Sequence, residues 1–258
     1  MFIVLKRRTI LFFVMSVLIA ITGVISIGEI QSSSTVSTSS GDRQLPIYSV
    51  STEEKKIALT FDAAWGADDT QDIIDILDKY KVKATFFLVG FWVDKFPSEV
   101  KSLYEAGHEI ATHSNAHKFM SKMTREEIIS DLNASIDKIS AITGERVRVF
   151  RPPYGDYNNT LITTARELGL EPIQWSIDSL DWKGLSAKEL ISRVTSRLHS
   201  GGIILCHNNS EHIVEALSSI IEYALGEGYS FSTVSDLIVD GEYYIDNNGV
   251  QHARTENN

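Results

Sequence analysis

From residue 55 onward the chain alternates apolar strand-like runs with helical patterns, and that alternation leaves few folds open. Residues 56–61, 84–89, 108–112, 147–150, 172–177, 202–206 and 229–231 read as strands. Between them, residues 70–80, 98–106, 124–142, 160–168, 187–198 and 211–224 carry helical patterns. In the first helix Ile73, Ile74, Ile76 and Leu77 share a face, with Asp68 or Asp69 as N-cap. Thr124-Arg125-Glu126-Glu127 is a capping box, and Gly144 ends the helix that it opens. Strands each followed by a helix imply an α/β fold with a parallel sheet covered by helices. Because the strands are apolar on both faces, a doubly wound sheet and a closed or distorted barrel are both open. In either, ligands collect beyond the carboxyl ends of the strands. Asp62, His113, Arg151, Asp178 and His207 each lie just after a strand, so they are expected to share one rim.

The N-terminus lies outside that pattern. Lys6-Arg7-Arg8 precedes an apolar run over residues 10–27, broken only by Ser16, Thr22, Gly23 and Ser26. A run of that length behind a basic cluster reads as a signal-anchor transmembrane helix with its basic end in the cytoplasm. A cleaved signal peptide is the rival reading, weakened by the length of the run and the lack of a clear cleavage site near Gly28. The organisation expected is a basic stub and anchor at 1–30, a Ser/Thr-rich linker at 31–50, a catalytic domain at 51–240 and a polar, frayed tail at 241–258. The domain would then be membrane-anchored and extracytoplasmic. A lone cysteine, Cys206, suits an exported chain without disulfides. A net charge of −10 argues against nucleic acid and an anionic membrane surface as partners, but leaves a neutral polysaccharide open. The chain is taken to act as a monomer.

His113 and His117 stand four residues apart after a strand, a spacing that lets two imidazoles converge on a divalent metal. Ser114 stands where the zinc peptidases' H-E-x-x-H pattern has its Glu, so any base must come from elsewhere. Singly, each rim residue also has a plain structural reading. Asp62, Asp178, Asp181 and Trp182 serve equally as turn residues, Arg151-Pro152-Pro153-Tyr154-Gly155 as a rigid loop, and His207 as a core histidine. Their joint order changes the weighing. His108, His199, His212 and His252 are placed away from the chemistry, and Cys206 is expected to be buried and inert.

In that order the residues resemble the NodB-homology polysaccharide deacetylases, carbohydrate esterase family 4. Leu59-Thr60-Phe61-Asp62 is similar to the first motif and His113-Ser114-x-x-His117 to the second. Arg151-Pro152-Pro153-Tyr154-Gly155 is similar to the third, Asp178-x-x-Asp181-Trp182 to the fourth and Leu205-x-His207 to the fifth. The resemblance covers roughly residues 55–237, and Ala63-Ala64-Trp65-Gly66 looks most like the PdaB-type sporulation branch. It implies a distorted (β/α) barrel and hydrolysis of N-acetyl groups from an amino-sugar polymer such as peptidoglycan.

Carried to matching positions, the family's roles make Asp62 the general base, His207 the general acid and the Tyr154 backbone N–H an oxyanion donor. His113 and His117 would hold a divalent metal, zinc or a similar first-row ion, and Ser114 would brace their loop. Arg151 would pair with Asp62, and Asp181 would orient Arg151. Leu205, Trp182 and Pro153 would line the substrate slot. One departure stands out: where the family has a second Asp as third metal ligand, this chain has Ala63, and a methyl cannot coordinate a metal. Asp62 taking that place would compromise it as a base. The leading expectation is a deacetylase. The rivals are a catalytically weak or inactive glycan-binding or spore-assembly protein, favoured by Ala63, and an amidase of a small non-sugar amide. Asp62, Arg151, Asp181 and His207 together argue for chemistry, since a binder has no need of a base, its partner and an acid.

Overall fold

The computed structural model describes residues 43–254. The signal-anchor reading, most of the linker and the last four residues lie outside the described residues. Among the described residues no helix is long and apolar enough to cross a membrane.

Eleven strands are named here in chain order. They are β1 (Ser49–Val50), β2 (Lys56–Ala63), β3 (Thr85–Leu88), β4 (Glu109–Thr112), β5 (Val149–Phe150) and β6 (Glu171–Pro172). β7 (Ile177–Asp178), β8 (Ile203–His207), β9 (Ser230–Ser232), β10 (Tyr243–Ile245) and β11 (Val250–Ala253) follow. The main sheet runs β6-β5-β4-β3-β2-β8-β7, with β9 added to β2, and every pairing in it is parallel. Its end strands β6 and β7 do not pair, so the sheet curls into a half-barrel rather than closing.

Alternation along β2 sorts its side chains between two apolar clusters. Ile57, Leu59, Phe61 and Ala63 pack outward with Ile73 and Leu77 of the helix Thr70–Lys79. Ala58 faces the inner cluster with Phe87, Ala111, Val149 and Ile203. Thr60 and Asp62 share Ala58's face by the two-residue period of a strand, which carries the carboxylate to the inner side of the curl. The Thr124 capping box is present, with its side chain accepting from Glu127 N–H, and Gly144 ends that helix in the left-handed conformation. Asp69 holds the N-cap position of the first helix, yet its side chain makes no capping bond.

Three expectations need correction. The strand read at 172–177 is split into β6 and β7, because Gln174 and Ser176 turn their N–H groups to Ile47 and Ile203 where the half-barrel opens. Ile47 also bridges to Ile173 and Ser49 to Gly202, so residues assigned to the linker belong to the folded domain. The tail is not frayed over 243–253: β10 and β11 form a hairpin whose second strand pairs with β1. A helix at Gly90–Lys95, where the sequence reading assigned no element, follows β3.

Candidate active site

The rim expected from the strand ends is present. Parallel register sets Asp62 of β2 directly beside His207 of β8 and Phe87 of β3. His113 follows β4 and Arg151 follows β5. A cleft of about 730 Å³ opens there, lined among others by Asp62, His113, His117, Asp181, Leu205 and His207. Trp182 and Tyr154 line it as exposed side chains. Pro153 is buried and is not among the lining residues, so its part is to shape the loop and not to touch substrate.

Arg151 is 0 % and Asp62 6 % exposed, and one guanidinium nitrogen reaches Asp62 Oδ1 at 2.7 Å. The same nitrogen donates to Thr60 Oγ1 at 2.8 Å, and the other terminal nitrogen donates to the Gln174 carbonyl at 3.1 Å. The guanidinium also sits 4.0 Å from the Phe87 ring centroid. Burial pushes the Asp62 carboxyl up, but the charges of Arg151, His113 and His207 and the Arg151 hydrogen bond outweigh it and hold it below the usual range.

Asp181 does not orient Arg151. Its carboxylate receives the His207 backbone N–H at 2.7 Å, the His207 Nδ1 at 2.7 Å and the Ser210 hydroxyl at 3.0 Å. Its place at the start of the turn Asp181–Lys183, beside the end of β8, aims it at the histidine instead. Burial lowers the basicity of His207, but its hydrogen bond to Asp181 and the charges of Asp181 and Asp62 reverse this and raise it above the ordinary histidine value. Asp178 accepts from Leu180 N–H at 2.8 Å and so is a turn residue.

His113 Nδ1 is engaged by the Arg151 carbonyl at 2.7 Å, which leaves Nε2 facing Asp62 Oδ2 at 3.5 Å. Burial is the first cause that lowers both histidines, taking His117 to about 4, so both imidazoles are neutral near pH 7. His117 Nδ1 is buried without a hydrogen-bond partner. Ser114 Oγ accepts the His117 N–H at 2.9 Å, which braces the loop as expected.

As a donor set for a metal these residues fall short. Two neutral imidazoles offer lone pairs, whereas catalytic zinc sites use three protein ligands. Ala63 is 1 % exposed with its methyl in the outer apolar cluster, and among the described residues no group of three or more His, Cys, Asp or Glu converges as a metal site. Completing the shell with Asp62 would take up the carboxylate expected to act as base. The residues present therefore do not fit a three-ligand catalytic metal.

Four of the five non-glycine residues with positive φ lie in the site loops: Ser114 (68°), His117 (51°), Tyr154 (61°) and Leu180 (55°). Such conformations are disfavoured for L residues and collect where a side chain or amide must be aimed. No composition signal marks them. Gln174 and Ser210, which tie down Arg151 and Asp181, escaped the sequence reading as well, and Thr60 was quoted only within a motif, with no role. Thr60 alone was within reach, being two residues before Asp62 on the same strand face.

Residues 49–173 match the family model for polysaccharide deacetylase. Over 196 residues the chain is 34% identical to the peptidoglycan-N-acetylglucosamine deacetylase of Bacillus cereus, covering 74% of this chain and 92% of that one. It is 33% identical over 193 residues to the uncharacterized protein YlxY of Bacillus subtilis, covering 75% of this chain but only 60% of that relative's length. Among solved structures, a family 4 pseudoenzyme from Bacillus anthracis superposes with a TM-score of 0.72 at 33% identity, covering 74% of this chain and 68% of that one. A mutant of that pseudoenzyme with restored enzymatic activity superposes with a TM-score of 0.72 at 34% identity, covering 74% and 70%. With its half-barrel, Asp62 and His207 paired on neighbouring strands and these relatives, the chain belongs to the polysaccharide deacetylase family.

Proposed function

We propose that this chain hydrolyses N-acetyl groups on an amino-sugar polymer, peptidoglycan or a related wall glycan, releasing acetate and leaving a free amine. The observation that carries this reading is the opposed tuning of two neighbouring groups. Arg151 favours the ionised form of Asp62, Asp181 favours the protonated form of His207, and both face one cleft. Environments that push two titratable groups apart assign the acid and the base.

Asp62 takes a proton from a water as its oxygen attacks the acetyl carbon. The Tyr154 N–H, aimed by its left-handed backbone, donates to the oxyanion of the tetrahedral species. Protonated His207 then gives its proton to the nitrogen as the carbon–nitrogen bond breaks. Leu205 and Trp182 flank the acetyl methyl. No step is routed through a metal, because the donor set lacks its third ligand. The apolar run over residues 10–27 behind its basic cluster supports an extracytoplasmic, membrane-anchored enzyme.

The test is acetate release from N-acetylglucosamine oligomers and peptidoglycan by the full chain, with and without added zinc. Asp62→Asn and His207→Ala should each abolish it, and turnover unchanged in both would refute the assignment. A second reading, glycan binding without turnover, draws on Ala63 and on the likeness to a pseudoenzyme. It predicts binding with no acetate from the native chain under any metal.

A further inference from the structure

At the end of the half-barrel away from the candidate active site, a smaller hollow of about 220 Å³ opens where the chain enters β4 and β5. The parallel pairing of those strands brings the segments before them side by side, so His108, Arg146 and Arg148 line one hollow. Arg148 and Ser235 also line a second hollow of about 360 Å³, so the two adjoin as a groove at the base of the sheet. A Cβ at Gly169, in the second hollow, would lie 2.2 Å from a terminal nitrogen of Arg146. The bare glycine therefore leaves the guanidinium room to lie where the hollows meet.

Three donors lining this groove lack an acceptor. Arg146 and Arg148 are exposed, and among the described residues neither guanidinium makes a hydrogen bond or an ion pair. Arg125, Arg151 and Arg166, by contrast, are each paired with a carboxylate. Acid is not lacking, because Glu109 and Glu145 line the same hollow, yet both are held by other donors. Glu109 accepts from the Thr85 hydroxyl at 2.7 Å, from the Ser235 N–H at 3.2 Å and from the Ser235 hydroxyl. Glu145 accepts from the Tyr104 hydroxyl at 3.2 Å. The third donor is His108, which is 4 % exposed. Its Nδ1 accepts the Ala84 N–H at 3.3 Å, so in the neutral ring the proton sits on Nε2, and that buried N–H has no partner. Buried donors are nearly always satisfied, and one left open on the wall of a hollow is a place where a ligand can supply the acceptor.

We propose that this groove is a binding site for a phosphate group, held by the Arg146 and Arg148 guanidinia and by His108 Nε2. A guanidinium fork meets two oxygens of a phosphate with parallel N–H bonds. A carboxylate has only two oxygens, in one plane, and a single fork takes both. Donors arriving from three side chains suit a tetrahedral anion, which has an oxygen for each. A chain of net charge −10 repels anions at large, so a phosphate is drawn to the place where positive charge is left unpaired. His108 serves as a neutral donor, since burial takes it from 6.5 to about 4. Free phosphate, a monoester and the phosphodiester of an anionic polymer all offer this chemistry. The site stands apart from Asp62 and His207 and is independent of whether their cleft turns over substrate.

The test is a titration of the full chain, carrying 15N in its histidines, with inorganic phosphate at neutral pH and low ionic strength, where exposed charges are least screened. The His108 Nε2 signal, identified by its loss in His108→Gln, should move with added phosphate and saturate. Arg146→Gln and Arg148→Gln should each raise the half-saturating concentration about tenfold, the scale of one lost charge-assisted hydrogen bond. Arg148→Lys keeps the charge without the fork and should recover part of the loss. Both arginines are exposed, so the variants should keep the fold, which unchanged His113 and His117 signals in the absence of phosphate verify. A His108 signal that phosphate leaves in place overturns the proposal, as does equal half-saturation in wild type and both Gln variants. Acetate moving the His108 signal as strongly as phosphate overturns the assignment of the anion. A glycerol phosphodiester used in place of phosphate separates the sources. Tighter binding than the free ion assigns a polymer and weaker binding a free phosphate or monoester, and the site stands in either case.

Discussion

Replacing Arg151 by Met removes a charge from the most completely enclosed ion pair of the site while keeping much of the volume. Arg151 donates to Asp62, Thr60 and Gln174 and is wholly buried, so its loss strands a carboxylate that is itself only 6 % exposed. Breaking a buried pair on one side costs about 3–5 kcal/mol, because the remaining charge has neither solvent nor partner. For a domain of this size that is roughly a 10 °C fall in Tm. Burial, the largest influence on Asp62, would then go unopposed by Arg151, and its carboxyl would titrate higher. Stability gained from an acid held low is present above its unfolded value and lost as pH falls through the folded one. Arg151→Met should therefore shrink the extra stability seen on raising pH through the carboxylate range. The assay is urea unfolding of wild type, Arg151→Met, Asp62→Asn and the double variant. Removing the stranded charge should make the double variant more stable than Arg151→Met alone, with a coupling of more than about 1 kcal/mol. A cost under about 1 kcal/mol for Arg151→Met, or strict additivity, would refute the reasoning.

Three further outcomes are expected. Asp181→Asn should move the alkaline limb of the kcat/KM–pH profile to lower pH, since the Asp181 hydrogen bond and charge are what raise His207; an unmoved limb would place the acid elsewhere. Zinc should bind the wild type weakly by calorimetry, and Ala63→Asp should tighten it by about tenfold or more through a third ligand; equal affinities would show that position 63 does not reach the ion. His108 is buried, and burial is the first cause taking it from 6.5 to about 4, so stability should fall as pH drops from 6.5 toward 4, by about 3 kcal/mol in full. His108→Gln should flatten that slope in unfolding titrations, and an unchanged slope would exclude the histidine.

How much of this was legible in the sequence follows from the range of the interactions involved. The strand–helix alternation is local, and it placed β2, β3, β4 and β8 and the shared rim within a residue or two. The Asp62–Arg151 pair came from motif order and is present at 2.7 Å. Asp181 was assigned the wrong partner because its target depends on where the turn after β7 is set down against β8, a tertiary fact. The hairpin at the C-terminus was misread although Asn248-Gly249, a strong hairpin-turn dipeptide, lies between its strands. Polar composition was given more weight than turn chemistry there, and pairing of β11 with β1 across some two hundred residues left no local trace.

The same distinction explains the loop Ala63-Ala64-Trp65-Gly66. By itself the sequence shows a missing ligand at Ala63 and no reason for the residues after it. The clamp that gives those residues a purpose joins Gly66 to Asn208, 142 positions away, and to Trp92. A loop that had only lost a metal ligand would have no need to hold a bulky indole in solvent, because exposed apolar surface of that size forgoes roughly 25 cal/mol for each Å² left unburied. Here the loop is pinned by two hydrogen bonds to one carbonyl, and its Trp65 stands against His117. Asp62 stands beside Ala63, and two residues on Trp65 is set against His117, so the position of the absent ligand and the exposed indole belong to one loop. If Ala63→Asp tightened metal binding while lowering the affinity for N-acetylglucosamine oligomers, the two features would prove to be alternatives within one loop. If oligomer affinity were unmoved, they would be independent.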